Sequence, residues 1–537
     1  MSNLLFLNRK WEMSSSRFIL LFSAFNTFLF NFSVFHYLNS NLDLLSMSGL
    51  SIAASITTLI YILNVAILSL LVLITPHLSK LFLIITALIN AAALYYINSF
   101  QVVLDLTMIG NIFNTRVSEA SELLVSSSLY IYILMFGFIP AYIVLRTHIV
   151  PINRFRVSIN LAIVLVAGIT FILLNASGWL WISKHRNMVS GKILPWSYVI
   201  NSARYTADKL KVKADPVLLP EGVFSDNKKT VVVLVIGESA RSANFGLYGY
   251  EKDTNPYTSS DDVLVFNKTN SCSTYTTASI ACILSHGKDK DEYENLPSYL
   301  TRLGADVIWR TNNWGEADIT VTEYIKESDL IKNCKPGTCD LDENMLIGLQ
   351  QRIQSSNKQK QFVVIHTKGS HGPSYYSRYP AHLEKFTPVC RHEELSKCTY
   401  DELINAYDNS IVYTDYLLHQ IINMLKGMSN TPSMMLYISD HGESLGEDGM
   451  YFHGVPYMFA PDYQKDVPFI MWRSNELITH QGIKNQDIKQ SGQFSQANIF
   501  HTIIGALGVK TEIYDSELDV IHSNQKNFEM ENLSTEK

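Results

Sequence analysis

Residues 230–238 read TVVVLVIGE. Six consecutive Val, Leu or Ile side chains, Val231 to Ile236, run into a glycine and then an acid. A strand with one wet face alternates apolar and polar residues. An unbroken β-branched run belongs to a strand covered on both faces, as in a parallel sheet under helices. Similar runs recur in DVIW (306–309), FVVIHT (362–367), MMLYISD (434–440) and VPFIMW (467–472). Helical patterns separate them, such as ELINAYDNSIVYTDYLLHQIINMLKGM (402–428). The pattern predicts an α/β domain with a largely parallel sheet. Ligands of such sheets bind beyond the carboxyl ends of the strands. Those positions hold Glu238, then His366 and His371, then Asp440 and His441, with His453 twelve residues later.

A lone acid at a strand end is usually a helix cap, and a lone histidine is usually structural. This many along one sheet edge point to a metal site. Zinc takes carboxylate and imidazole ligands, and its catalytic sites keep one position for chemistry. Glu238, Asp440 and His441 supply three ligands in this reading and Thr276 the fourth. Thr276 lies in SCSTYTTASIAC (271–282), between Cys272 and Cys282. A threonine hydroxyl is a poor nucleophile at neutral pH, and zinc lowers the pKa of an oxygen acid bound to it. A loop stapled at both ends would hold that oxygen still, which matters because small misplacements of a reacting group cost rate steeply.

All six cysteines follow residue 271, as near neighbours separated by ten, five and eight positions. Six cysteines allow fifteen pairings. The simplest is local: Cys272–Cys282, Cys334–Cys339 and Cys390–Cys398. The chain has no CxxC zinc signature. Disulfides imply an oxidising compartment.

The first 175 residues are apolar and nearly free of charge. Runs at 18–38, 50–75, 79–98, 126–147 and 157–175 each suffice for a helix of about 20 residues across a bilayer. A cleaved signal peptide is shorter and is not followed by four more spans. Arg9, Lys10, Arg17, Lys80, Arg146, Arg154 and Arg156 all fall on one side of these runs, and Arg116 alone on the other. By the positive-inside rule the N-terminus is cytoplasmic, and everything after residue 176 is outside, where disulfides form. The expected organisation is a five-helix transmembrane domain (1–176), a bridging region (177–226) and a catalytic domain (227–537). Trp179, Trp181 and Trp196 of the bridge suggest contact with the membrane–water boundary. After the third run, Asn111, Thr115 and Glu119 are four residues apart and would share one face of a helix, a polar strip able to meet a lipid headgroup. A net charge of −6 and pI near 6.2 argue against a nucleic-acid partner.

IGESAR (236–241), the Cys-x-x-x-Thr loop, HTKGSHGPSYY (366–376), SDHGESLGE (439–447) and the HG of YFHGVPY (451–457) together resemble the phosphoethanolamine transferases of Gram-negative bacteria. This family includes the mobile colistin-resistance enzymes and belongs to the alkaline-phosphatase-like superfamily. The resemblance covers nearly the whole chain. It implies transfer of phosphoethanolamine from phosphatidylethanolamine to lipid A or a related glycolipid, by a monomer in the bacterial inner membrane with a periplasmic catalytic domain. It implies Glu238, Thr276, Asp440 and His441 as zinc ligands and Thr276 as the residue that carries the group. His371 and His453 match histidines that bind the phosphoryl group or a second zinc. Asn313 matches a substrate-binding asparagine, and Asn111, Thr115 and Glu119 match membrane-side residues of the donor site. The sequence CSTYTTA (272–278) departs from the usual C-G-T-x-T-A, which leaves Thr277, and more weakly Thr274, as rivals of Thr276. The alternatives are a phosphoglycerol transferase or sulfatase of the same superfamily, or an inactive membrane sensor that has kept the fold. A sulfatase would need a C-x-P-S-R type motif, which is missing.

Overall fold

The computed structural model describes residues 11–522 apart from 116–119, 122, 151–152, 176–178, 212–214, 288–292, 317 and 335–337. The chain divides into two compact units, Met1–Val212 and Lys213–Lys537.

The first unit is helical. Its main helices are α1 (Ser15–Leu29), α2 (Phe32–Asn41), α3 (Met47–Ile74), α4 (Pro76–Phe100), α5 (Leu106–Asn114), α6 (Ser127–Arg146), α7 (Arg154–Leu174) and α8 (Trp196–Leu210). Helices α3, α4, α6 and α7 are long and apolar enough to cross a membrane. The pair α1 and α2 passes the same test only together and is bent by 53°, so the described residues provide four to five spans. The run at 18–38 is therefore broken rather than straight. It contains neither Pro nor Gly. The break comes from buried Asn31, whose Nδ2 donates to Asn26 O (3.1 Å) and Leu194 O (3.0 Å) while its Oδ1 accepts from Leu194 N (2.9 Å). In α6, Pro140 cannot donate to the preceding turn, and Ile133–Phe138 winds as a wider π-helical stretch just before it.

Buried polar side chains tie these helices together. Asn64 Nδ2 donates to Thr27 Oγ1 (3.0 Å), and the Trp196 indole donates to Asn64 Oδ1 (3.1 Å). Asn90 Nδ2 reaches Asn26 Oδ1 (3.5 Å), and Tyr198 OH donates to Asn90 Oδ1 (3.1 Å). Trp196 is thus a buried bundle residue, not the boundary anchor its composition suggested, because a polar partner inside the bundle satisfies its N–H. Trp181 stacks on His185 at 4.1 Å. The side chain of Trp179 lies outside the described residues. Of the polar strip, Asn111 lies in α5 and Thr115 caps it one turn later. Helix α5 ends at Asn114, and Thr115 is extended and turns its hydroxyl back onto Asn111 O (2.7 Å). Glu119 lies outside the described residues.

The second unit is built on seven strands: β1 (Thr230–Gly237), β2 (Leu264–Val265), β3 (Asp306–Thr311), β4 (Glu323–Lys326), β5 (Lys360–His366), β6 (Ser433–Ser439) and β7 (Phe469–Arg473). Their order is β2-β7-β6-β1-β5-β3-β4. The pairs from β6 to β4 are parallel, and β7 is antiparallel to β6 and to β2. Central β1 is buried along its whole length, which explains its unbroken apolar run. Val231, Val233 and Val235 pack on one side with Tyr407 and Leu418 of α10 (Tyr400–Lys426). Val232, Leu234 and Ile236 pack on the other with Phe500 and Ile503 of α11 (Asn498–Ala506) and with Ile280 of the short helix α9 (Thr276–Ile283). Each of these side chains contributes about 1.5–3 kcal/mol on burial. Three disulfides, Cys272–Cys282, Cys334–Cys339 and Cys390–Cys398, all lie in this unit.

Candidate active site

The carboxyl ends of β1, β5 and β6 lie side by side in one register, so the residues that follow them meet. Glu238 follows β1 and Asp440 and His441 follow β6. Thr276 opens the helix Thr276–Ile283, with Cys272 and Cys282 bonded across its loop. Its Oγ1 lies 3.2 Å from Glu238 Oε2 and 3.3 Å from His441 Nε2. His441 Nε2 in turn lies 3.3 Å from Glu238 Oε1 and 3.2 Å from Asp440 Oδ2. All four side chains are buried. Of the rival threonines, Thr274 is engaged elsewhere, donating to Val455 O (2.7 Å). Thr277 is half-buried on the same short helix, and it is Thr276 that reaches the acid and imidazole.

Local backbone geometry makes the cluster possible. Ser239 adopts φ +55°, uncommon for a residue with a side chain, and so points its N–H at Asp440 Oδ1 (3.1 Å). His441 N donates to the same oxygen at 2.7 Å. Oδ1 is thus doubly served, whereas buried Asp440 Oδ2 accepts no hydrogen bond. His441 Nδ1 sits 3.0 Å from Gly442 O, which fixes a tautomer with the proton on Nδ1 and the lone pair of Nε2 facing the cluster. Gly369, at φ +50°, lets the segment after β5 touch Glu238; a Cβ there would lie 2.7 Å from Glu238 O.

The electrostatics of the cluster are those of a site built for a cation. Burial alone raises the Glu238 carboxyl, but His441, His371 and His453 together hold it well below the usual carboxylate range. Burial and then the adjacent Glu238 push Asp440 far up. Burial and then His453 push His441 down to about 3. These opposed shifts mark acids and imidazoles packed too closely to ionise independently, and a divalent ion would supply the positive charge they lack. A ring nitrogen of His453 also comes within 4.8 Å of the ligand atoms of Glu238 and His441. The donor set and the unserved Asp440 Oδ2 therefore fit a metal ion.

Around this cluster, His453 stacks 4.1 Å from His441, and the His371 ring lies 5.7 Å from His453. Buried His371 Nδ1 has no hydrogen-bond partner. Asn313 donates to Glu238 Oε2 (2.8 Å) and Thr367 O (3.0 Å), so both amide protons are used within the protein. His366 belongs to a different environment, beside Thr311 Oγ1 (3.2 Å) and Glu316 (3.6 Å). Two residues escaped the sequence reading. Glu443 Oε2 meets His453 Nδ1 at 2.8 Å, and Tyr375 OH donates to Glu443 Oε1 at 2.7 Å. Burial and then Glu443 keep the Tyr375 hydroxyl protonated. The acid three residues after Asp440 in SDHGES was the available signal. Asn111 and Thr115 are half-buried residues of the helical unit.

Comparison with known proteins agrees with this architecture. Residues 230–509 match the sulfatase family model, and residues 60–210 match the model described as phosphoethanolamine transferase EptA/EptB. The chain is 37% identical over 515 residues to phosphoethanolamine transferase EptA of Helicobacter pylori, covering 94% of this chain and 95% of that one. It is 31% identical to phosphatidylethanolamine transferase Mcr-1 of Escherichia coli over 73% of this chain and 78% of that one. The structure of the integral membrane lipooligosaccharide phosphoethanolamine transferase A of Neisseria meningitidis superposes with a TM-score of 0.85 at 26% identity, covering 96% of this chain and 99% of that one. The two units, helical and alkaline-phosphatase-like, thus recur together in relatives of nearly the same length, and the chain belongs to the phosphoethanolamine transferase family of enzymes.

Proposed function

We propose that this enzyme moves phosphoethanolamine from phosphatidylethanolamine to lipid A, or a related glycolipid, in two displacements at Thr276. The organisation proposed is a membrane-anchoring region (1–176), a bridge (177–226) and a catalytic region (227–537) on the periplasmic side of the inner membrane, with the N-terminus cytoplasmic and the chain monomeric. In the first displacement Thr276 Oγ1, as the deprotonated alkoxide that the second displacement restores, attacks the donor phosphorus, and the bond from phosphorus to the glycerol oxygen breaks. Diacylglycerol leaves after accepting a proton from His371 or His453. In the second, an acceptor oxygen attacks the phosphothreonine, the bond to Thr276 breaks, and the acceptor's proton returns to the same histidines.

A zinc ion held by Glu238, Asp440, His441 and Thr276 would acidify the threonine hydroxyl and stabilise charge on the phosphoryl oxygens, and His371 with His453 could hold a second. Asn313 aligns Glu238 through its amide, and the Tyr375–Glu443 pair orients His453. Asn111, Thr115 and Glu119 are proposed to contact the donor headgroup. The reading rests on one observation above all: Thr276 Oγ1 stands within 3.3 Å of both an acid and an imidazole, in a disulfide-closed loop. Mass spectrometry of protein incubated with phosphatidylethanolamine tests it. The phosphoethanolamine adduct is expected on Thr276 and absent in Thr276→Ala. An adduct on Thr277 at wild-type yield would refute the assignment.

A further inference from the structure

The helical unit holds a cavity of about 460 Å³ at the end of α4 remote from Lys80. That volume is within the range of small-molecule sites. Its polar lining includes Ser33 and His36 of α2, Asn98 and Gln101 at the end of α4, Tyr132 of α6 and Lys192. None of these is a residue of the Asn111–Thr115 segment. No carboxylate lines it.

Lys192 is the unusual member. It is 3% exposed, so its ammonium has left bulk water. Among the described residues no acid pairs with it, and its one hydrogen bond goes to the neutral Gln101 Oε1 (3.3 Å). A buried cation without a counter-ion is costly and is ordinarily paired. Burial holds this amine down at about 8, the response of a charge lacking an anion. The other polar side chains of the lining are neutral or imidazole groups. Ser33 Oγ donates to Asn98 Oδ1 (2.7 Å) and Asn98 Nδ2 donates to Tyr132 OH (3.5 Å), which leaves the tyrosine proton for a ligand. Phe32 and Ile97 add apolar wall beside them. The cavity therefore offers positive charge, neutral donors and an apolar flank, at the end of a 25-residue helix long enough to span hydrocarbon.

We propose that this cavity is a binding site for a phosphate-ester anion, with Lys192 as its counter-ion and Tyr132 as a hydrogen-bond donor, distinct from the cluster around Thr276. A lipid headgroup and free phosphate share that chemistry. The test uses full-length protein in nanodiscs with phosphatidylethanolamine carrying a diazirine near its glycerol, or the diacylglycerol of the same chains, followed by peptide mapping. The phospholipid is expected to label peptides covering 32–40 and 97–101, and the diacylglycerol to label them about tenfold less, the factor that one lost charged hydrogen bond gives. Lys192→Met should bring phospholipid labelling down to the diacylglycerol level, and Lys192→Arg should preserve it. Labelling that survives millimolar inorganic phosphate assigns the site to the headgroup; labelling that phosphate erases assigns it to the free anion. Equal labelling of these peptides by the two probes on wild-type protein, or no labelling there, overturns the proposal without requiring any variant to fold. The readout involves no catalysis, so it stands or falls apart from the chemistry at Thr276.

Discussion

Two sets of buried polar side chains, one in each unit, are built in opposite ways. Along the helices, Thr27, Asn64 and Trp196 form a closed set, and so do Asn26, Asn90 and Tyr198: each donor meets an acceptor. At the strand ends the set is open. Glu238 and Asp440 face one imidazole nitrogen, and Asp440 Oδ2 accepts nothing. Closed networks fix which helices pack together. An open one costs stability and persists where a ligand completes it. The difference separates polar groups that hold the molecule together from polar groups that wait for something.

The largest expected effect tests the open set. Thr276→Ala should lower transfer of labelled phosphoethanolamine by roughly 10³-fold or more, the scale on which loss of a nucleophile is felt. Activity within tenfold of wild type would mean that Thr276 is only a neighbour. Next comes metal. Chelated protein should lose activity and regain it with zinc, and zinc at about 100 times its dissociation constant should stabilise the folded protein by about 2.7 kcal/mol. A thermal melt with no zinc dependence would erase the contrast between the units. Asn64→Leu should act in the other region, costing about 1–3 kcal/mol because it strands the Trp196 N–H, with zinc binding per folded molecule unchanged. Asp440→Asn should do the reverse, stabilising metal-free protein by about 1 kcal/mol because an amide avoids the cost of protonating an acid on burial, while abolishing the zinc response. Destabilisation by both substitutions would show that the strand-end set is structural as well.

The smallest effect is one of pH. Hydrogen bonds from Arg352 hold Asp306 below the usual carboxylate range. A depressed folded pKa gives stability that is present above the unfolded value and lost as pH falls through the folded one. Asp306→Asn should therefore flatten the acid limb of the urea midpoint below about pH 4, where unpaired aspartates titrate.

The α/β architecture was legible because strands buried on both faces cannot alternate, so β1 and β5 read as continuous apolar runs with their acids and histidines immediately after. The apolar helices were legible by length. What escaped depends on tertiary partners. Asn31 breaks the first run only because the backbone of residue 194 is there to receive it, and nothing local marks the bend. Trp196 resembled an interfacial anchor until Asn64 claimed its N–H. Helix α5 closes at Thr115, one turn after Asn111, and nothing local in the sequence marks that end. Glu443 could have been named from SDHGES, but its service to His453 depends on a fold that brings residue 453 back to it. Asn313 was read as a contact for substrate, and its hold on Glu238 and the backbone of Thr367 depends on partners distant in sequence.

Every cysteine sits in loops and short helices around the sheet, and none in its strands. The helix that begins with Thr276 has eight residues, too few to persist in water unsupported. A mild reductant should therefore behave as a reversible antagonist of turnover, loosening the mount of the proposed nucleophile while the sheet stays upright. Cells that cannot oxidise their exported thiols would then carry this enzyme at full abundance and find it silent.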